Sequence, residues 1–334
     1  MKLGTILRAA GALALVAMAW SPGAADAQQR LKFAHVYETN EPYHTEAVWA
    51  AQEIQRRTNN RFAIDVHAAS ALGNEQQINQ ALPLGTIDMI YTGAAFAGAS
   101  FPPIAISNAP YMFRDFDHWK AYSESPLFHE LAGGYEQRTR NKILALTYYG
   151  ARHTTANKAI MTPADMRGMK LRVPQAPLYL MYARAVGANA TPIAFAEVYL
   201  ALQNGTVDGQ ENPLPTIQAK KFFEVQTHIN LTGHITDALL TIVGGPAKAK
   251  MNAAEREMLY GILREAAARS DAEITKMERD LVAWFRSPAG GSKTVVEPDR
   301  KPFREAVVAR HLGSDATWDK AVYDRLQAIA SVNS

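Results

Sequence analysis

From Leu31 onward, short apolar runs of strand length alternate with stretches of helical periodicity, the pattern of an α/β fold with mainly parallel sheet. Residues 31–36 read as a first strand. A helix over 43–58 follows, with Ala47, Ala50, Ala51 and Ile54 on one face and Glu46, Glu53, Arg56 and Arg57 on the other. Phe62, Ile64 and Val66 alternate with polar neighbours as a second strand. A short helix over 74–84 and strands over 87–91 and 142–149 complete one lobe, about residues 28–149. A second set starts near Gly150: a strand at 169–173, helices at 177–186 and 196–204, a strand at 207–210 and a further apolar strand at 236–243. No repeat or Gly/Ser linker separates the halves, so short structured crossings must join them.

Asn252 and Glu255 have the spacing of a capping box. The helix they open meets only Gly261 before Ser287-Pro288, and Leu259, Ile262, Leu263, Ala266, Ile274, Met277, Leu281 and Trp284 keep an apolar stripe along it. At 1.5 Å per residue it reaches on the order of 50 Å, wider than one small domain. Such a helix underlies both lobes; the alternative is two shorter helices broken at Gly261. The expected division is therefore 28–149 with about 238–277 in the first lobe, and 150–237 with about 278–334 in the second.

The 334 residues are 48% hydrophobic and 20% charged, enough for a large core and, by length, for two domains. Residues 1–27 stand apart: Lys2 and Arg8, an apolar run from Ala9 to Trp20, then Ala25-Asp26-Ala27. That is the layout of a secretory signal peptide cleaved after Ala27, and it sends the mature chain out of the cytoplasm. Thirty-five basic residues face 32 acidic ones with no basic block, which argues against a nucleic-acid partner. There is no cysteine, so disulfides, Cys-ligated metals and thiol nucleophiles are excluded.

Dinucleotide, nucleotide, zinc-protease and hydrolase signatures are all absent from the sequence, and no cofactor is implied. His35, Glu38, Glu41 and His44 recur every three residues, but Pro42 and the strand-to-helix switch work against a shared metal face; a polar loop lining a cleft is the simpler reading. The chemistry concentrates between Tyr149 and Asn212. Arg152 follows a strand, Arg172 lies inside the apolar strand 169–173, and Gly209-Gln210-Glu211-Asn212-Pro213 closes another. A guanidinium in a strand core is costly unless an anion meets it. For Arg172 two partners compete: an internal carboxylate such as Glu211 or Glu197, or the carboxylate of a ligand.

The run "GARHTTANKAI…ADMRGMKLRVPQAP…ATPIAFAEVYLALQNGTVDGQENPLPTIQAKKFFEVQ" closely resembles the solute-binding proteins of tripartite ATP-independent periplasmic (TRAP) transporters, the DctP-like family. It is most similar to the sialic-acid-binding members, and the likeness extends from "LKFAHV" and "ALGNEQQ" to the long helix. The resemblance implies two α/β lobes hinged about a cleft, in the manner of type II periplasmic binding proteins. It assigns the ligand's carboxylate to Arg172 in "LRVP", with Arg152, Asn212 of "GQENP" and Phe195 of "AFAEVY" also facing the ligand. The first lobe departs from the sialic-acid pattern at "AHVYETNEPYH" and at Thr92-Gly93-Ala94-Ala95-Phe96, and Gln175 stands where those proteins carry Asn. A cleft keeping the clamp but offering His35, Tyr37, Glu38, Asn74 and Glu75, together with Thr92, Gly93, Tyr149, Gln175 and Glu211, suits a smaller polyhydroxy acid such as a uronate or aldonate. C4-dicarboxylates, aromatic acids and sialic acid are the alternatives.

The expected activity is capture of an organic acid by lobe closure and delivery to the membrane subunits of a TRAP transporter, by a monomer and without catalysis. Two other readings stand beside it. One is a secreted lyase on sugar acids using His35 or Glu38 as base; the other is a protein that presents its ligand to a sensor kinase.

Overall fold

The computed structural model describes residues 28–332. The signal-peptide reading of residues 1–27 lies outside them. The first half of the chain forms β1 (Gln29–Ala34), α1 (Pro42–Arg57), β2 (Phe62–His67), α2 (Glu75–Ala81), β3 (Met89–Gly93), α3 (Ala94–Ala97), α4 (Phe116–Ser123) and α5 (Pro126–Thr139). Next come β4 (Lys142–Ala156), β5 (Lys170–Val173), α6 (Leu180–Ala185), β6 (Asn189–Pro192), α7 (Val198–Gln203), β7 (Gly209–Pro213) and α8 (Leu214–Ala219). The remainder is β8 (His228–Val243), α9 (Gly245–Ala249), α10 (Ala253–Arg286), β9 (Thr294–Val296), α11 (Lys301–Val308) and α12 (Lys320–Gln327).

The strands form one continuous sheet in the order β2-β1-β3-β8-β4-β7-β5-β6, with β9 added to β8. Its two wings are parallel, β1 between β2 and β3 and β5 between β6 and β7. The centre is antiparallel, because β4 and β8 run through both lobes side by side. Sequence periodicity ends the first of these at 149 and starts the second at 236. The missing halves carry Arg152, His153, Thr154, Thr155, Asn230, Thr232 and His234, all buried. They satisfy one another: Thr232 lies 3.3 Å from Thr154 and 2.9 Å from His234, and the Gly233 amide donates to His153. Buried polar groups of this kind erase the hydrophobic alternation that marks a strand.

Between Tyr148 and Gly150 the β4–β8 register slips, and Gly150 adopts φ of +113°. A Cβ here would come within 2.8 Å of Pro213 and 3.0 Å of Glu278, so glycine is required for both reasons. On the edge that β7 does not reach, α10 supplies the missing acceptor: Glu278 accepts from the Ala151 amide and the Tyr148 hydroxyl.

Helix α10 is the expected single long element. The Asn252 side chain accepts from the Glu255 amide, and Glu255 accepts from the Asn252 amide. Thirty-four residues run unbroken, and a Cβ at Gly261 would meet nothing within 4 Å. Leu259, Ile262, Leu263, Ala266 and Ile274 join the larger core, which holds β1, β3 and α1. Leu281 and Phe285 enter a smaller one with Val198, Leu202, Leu214, Ile217 and Phe222. α10 thus packs against α1 and β4 on one stretch and against α8 and β9 on another. The last helix, which the sequence reading groups with the second lobe, lies against α4 and α5: His118 is 3.1 Å from the Leu326 carbonyl, and Arg325 pairs with Glu130. Among the described residues no helix is long and apolar enough to cross a membrane.

Candidate ligand-binding site

Strand ends and loops of the two wings line a narrow crevice. Arg172 forms its floor. The β5 run Lys-Leu-Arg-Val is held between β6 and β7, so the side chain rises from the sheet interior at 2% exposure. Nε and Nη2 both donate to the Ile193 carbonyl, at 3.0 and 2.7 Å. Nη1 is buried with no hydrogen-bond partner among the described residues. Burial, reinforced by the charge of Arg152, brings the Arg172 pKa down from its ordinary 12.5 to about 10.

Neither internal carboxylate considered from sequence reaches Arg172. Glu197 lies exposed on the turn after Phe195. Glu211 is taken by Arg152, which meets both of its oxygens and also Asp237, at 2.7 Å, and Asn212, at 3.1 Å. His234 adds a contact to Glu211 at 3.0 Å. Burial opposes the Glu211 charge, yet Arg152 and His234 hold its pKa at about 2. For Asp237 burial wins, raising its pKa to about 6 against the pull of Arg152. The two arginines therefore differ in kind: Arg152 is neutralised within the protein and Arg172 is not.

The first lobe supplies the opposite wall. Asn74 and Glu75 sit at the start of α2, where the Asn74 side chain accepts from the Gln77 amide as N-cap. Glu75 Oε1 accepts from the Gly93 amide at 2.7 Å and the Thr92 hydroxyl at 3.1 Å. Burial outweighs these bonds and lifts its pKa to about 7. Tyr37 and Tyr179 also line the crevice. Tyr149 closes one end, its hydroxyl 2.6 Å from Thr216, which in turn donates to Glu41.

Of the residues singled out from sequence, Arg172, Arg152, Asn212, Phe195, Tyr37, Asn74, Glu75, Gln175 and Tyr149 come together on this lining. Thr92, Gly93 and Glu211 lie one layer behind, holding Glu75 and Arg152. His35 and Glu38 are not on the lining. His35 is buried 3.2 Å from His44, with its pKa brought down by burial to about 3; Glu38 pairs with Lys220. Glu41 is committed to Thr216 and the Glu38 amide. Among the described residues no group of three or more acidic or histidine side chains could hold a metal. Sequence reasoning missed Tyr179, Asp237, Phe96 and the Ile193-Ala194 wall. Asp237 carried the same signal as Arg172, a charge inside an apolar strand; the others carried none.

A buried cation with a donor unpaired among the described residues, phenolic hydroxyls and a carboxyl whose pKa burial raises to about 7 are groups that can pair with a hydroxylated organic anion. Set between two α/β lobes that share a helix, they define a solute-binding protein of the two-lobed periplasmic class. The chain belongs to the DctP family, the bacterial extracellular solute-binding proteins of family 7, whose model matches residues 33–312. It is 31% identical to the sialic acid-binding periplasmic protein SiaP of Vibrio cholerae over 86% of this chain and 88% of that protein. Identity is also 31% to the 2,3-diketo-L-gulonate-binding periplasmic protein YiaO of Escherichia coli, over 92% of both chains. Among solved structures, a TRAP periplasmic solute-binding protein from Polaromonas sp. JS666 bound to D-erythronate is 28% identical. It superposes with a TM-score of 0.85 over 90% of this chain and 99% of that one. The chain is accordingly a TRAP solute-binding protein, of a family that serves membrane permeases.

Proposed function

We propose that the protein captures a monocarboxylic sugar acid of the aldonate or uronate type and hands it to a TRAP permease in the periplasm, acting as a monomer after cleavage behind Ala27. The ligand's carboxylate docks on Arg172, its hydroxyls meet Tyr37, Tyr179, Asn74 and Glu75, and Phe195 packs against its carbon chain. Closure of the lobes follows from differential affinity, since only the closed form brings both walls to the ligand. The observation that carries this reading is Arg172 Nη1, buried without a hydrogen-bond partner among the described residues beside a carbonyl-bound Nε and Nη2. The relatives that bind D-erythronate and 2,3-diketo-L-gulonate support the ligand class. A dicarboxylate fits less well, because beyond Arg172 its second charge would face Glu75 and Asp237.

A thermal-shift panel of D-erythronate, L-galactonate, D-galacturonate, succinate, benzoate and sialic acid tests it, since a ligand selective for the native state stabilises by RT ln(1 + [L]/Kd), about 2.7 kcal/mol at 100 Kd. The hydroxy acids should raise the melting temperature with the ligand recovered unchanged. A shift confined to succinate or benzoate, or turnover of any acid, would refute the assignment.

A further inference from the structure

Lys220 lies just past α8, outside the crevice lining, yet it touches both sides of the cleft. Its ammonium sits 2.6 Å from Glu38 in the loop after β1 and 5.1 Å from the centroid of the Phe195 ring. Phe195 itself faces Tyr37 across the crevice at 6.1 Å between ring centroids. The pair is sheltered, with the Lys220 side chain 14% and the Glu38 side chain 27% exposed. One turn earlier, Thr216 of α8 donates to Glu41 of the same loop. Two polar contacts therefore join α8 to the β1–α1 loop, and one of them bears on the aromatic wall of the crevice.

We propose that Lys220 and Glu38 form a closure latch: a positioning pair that holds the lobes together around the ligand and braces Phe195 against it, setting how long the ligand stays. This rests on the capture reading above. Glu38 then acts on the ligand through Lys220 and Phe195, without touching it. The ammonium is attracted to the ring face as well as to the carboxylate, so a ring held in place by the ligand favours the lysine position that reaches Glu38. A contact made across the cleft is broken on opening, so it slows release more than it speeds capture.

The test is a stopped-flow and calorimetric comparison using L-galactonate and D-erythronate as probes. Glu38→Gln should weaken binding about two- to fivefold and Lys220→Met about 5- to 30-fold, since it loses the ring contact too. Most of the loss should fall in the off-rate. The double variant should bind no more weakly than Lys220→Met, and Lys220→Arg should stay within about twofold of wild type. A lower ligand-free melting temperature with an unchanged off-rate would show a merely structural contact and overturn the latch. So would additive losses in the double variant, or unchanged affinity in both single variants when wild type binds. Wild-type protein that binds neither probe would overturn the sugar-acid capture reading itself.

Discussion

Replacing Arg172 by methionine separates binding from folding. In the ligand-free protein its guanidinium is buried against the Ile193 carbonyl and no carboxylate, and burial lowers its pKa from 12.5 to about 10. At about 1.36 kcal/mol per pKa unit, holding that charge costs the ligand-free fold on the order of 3 kcal/mol. Methionine removes the charge while roughly keeping the volume, and in exchange leaves the Ile193 carbonyl without its donors, a penalty of about 1–3 kcal/mol. The two nearly cancel, so the ligand-free variant should unfold in urea within about 2 kcal/mol of wild type. Binding should suffer far more. Removing one member of a buried charge pair costs about 2–5 kcal/mol, or roughly 30-fold to several thousand-fold in Kd, read by isothermal titration with the acid that gives the largest thermal shift. Arg172→Lys should recover only part, because an ammonium lacks the planar fork. A loss of less than threefold for Arg172→Met would remove this residue from the site.

Arg152→Met should show the opposite balance. It leaves Glu211 and Asp237 buried beside each other without their common cation, so the fold should lose about 3–5 kcal/mol in a urea melt whether ligand is present or not; unchanged stability would show that the pair is dispensable. Glu75, with its pKa near 7, should make binding depend on pH. A carboxylate ligand favours the protonated, neutral Glu75, so affinity should fall as pH rises through about 7, by at most about tenfold per unit. Glu75→Gln should flatten titrations between pH 6.5 and 8.5; a slope that persists in the variant would assign the proton elsewhere, Asp237 being the neighbouring candidate. Asn252→Ala removes the cap of α10 and should cost about 0.5–2 kcal/mol with ligand affinity unchanged, which a combined melt and titration can check.

Much of this architecture can be read in the sequence because it rests on local signals. The capping box at Asn252 and the apolar stripe behind it locate α10, and Arg172 betrays itself as a charge in an apolar strand. The missing parts depend on tertiary pairing. The inner halves of β4 and β8 are polar and buried at once, so no periodicity marks them until His153, Thr154, Thr232 and His234 are seen to satisfy one another. The same holds for the choice of partner by the two arginines. From spacing, Glu211 could serve either; only the packing of β4 against β7, which sets Arg152 opposite Pro213 and next to Asn212 in the ladder, gives Glu211 to Arg152. Glu38 likewise looks like a ligand contact until Lys220, 182 residues later, arrives beside it.

The most direct measurement is a crystal structure of the protein with the sugar acid that stabilises it most. The account predicts the ligand's carboxylate within about 3 Å of Arg172 Nη1, with Arg152 still bound to Glu211 and Asp237. A carboxylate seated elsewhere, with Arg172 turned to a protein carboxylate, would contradict it.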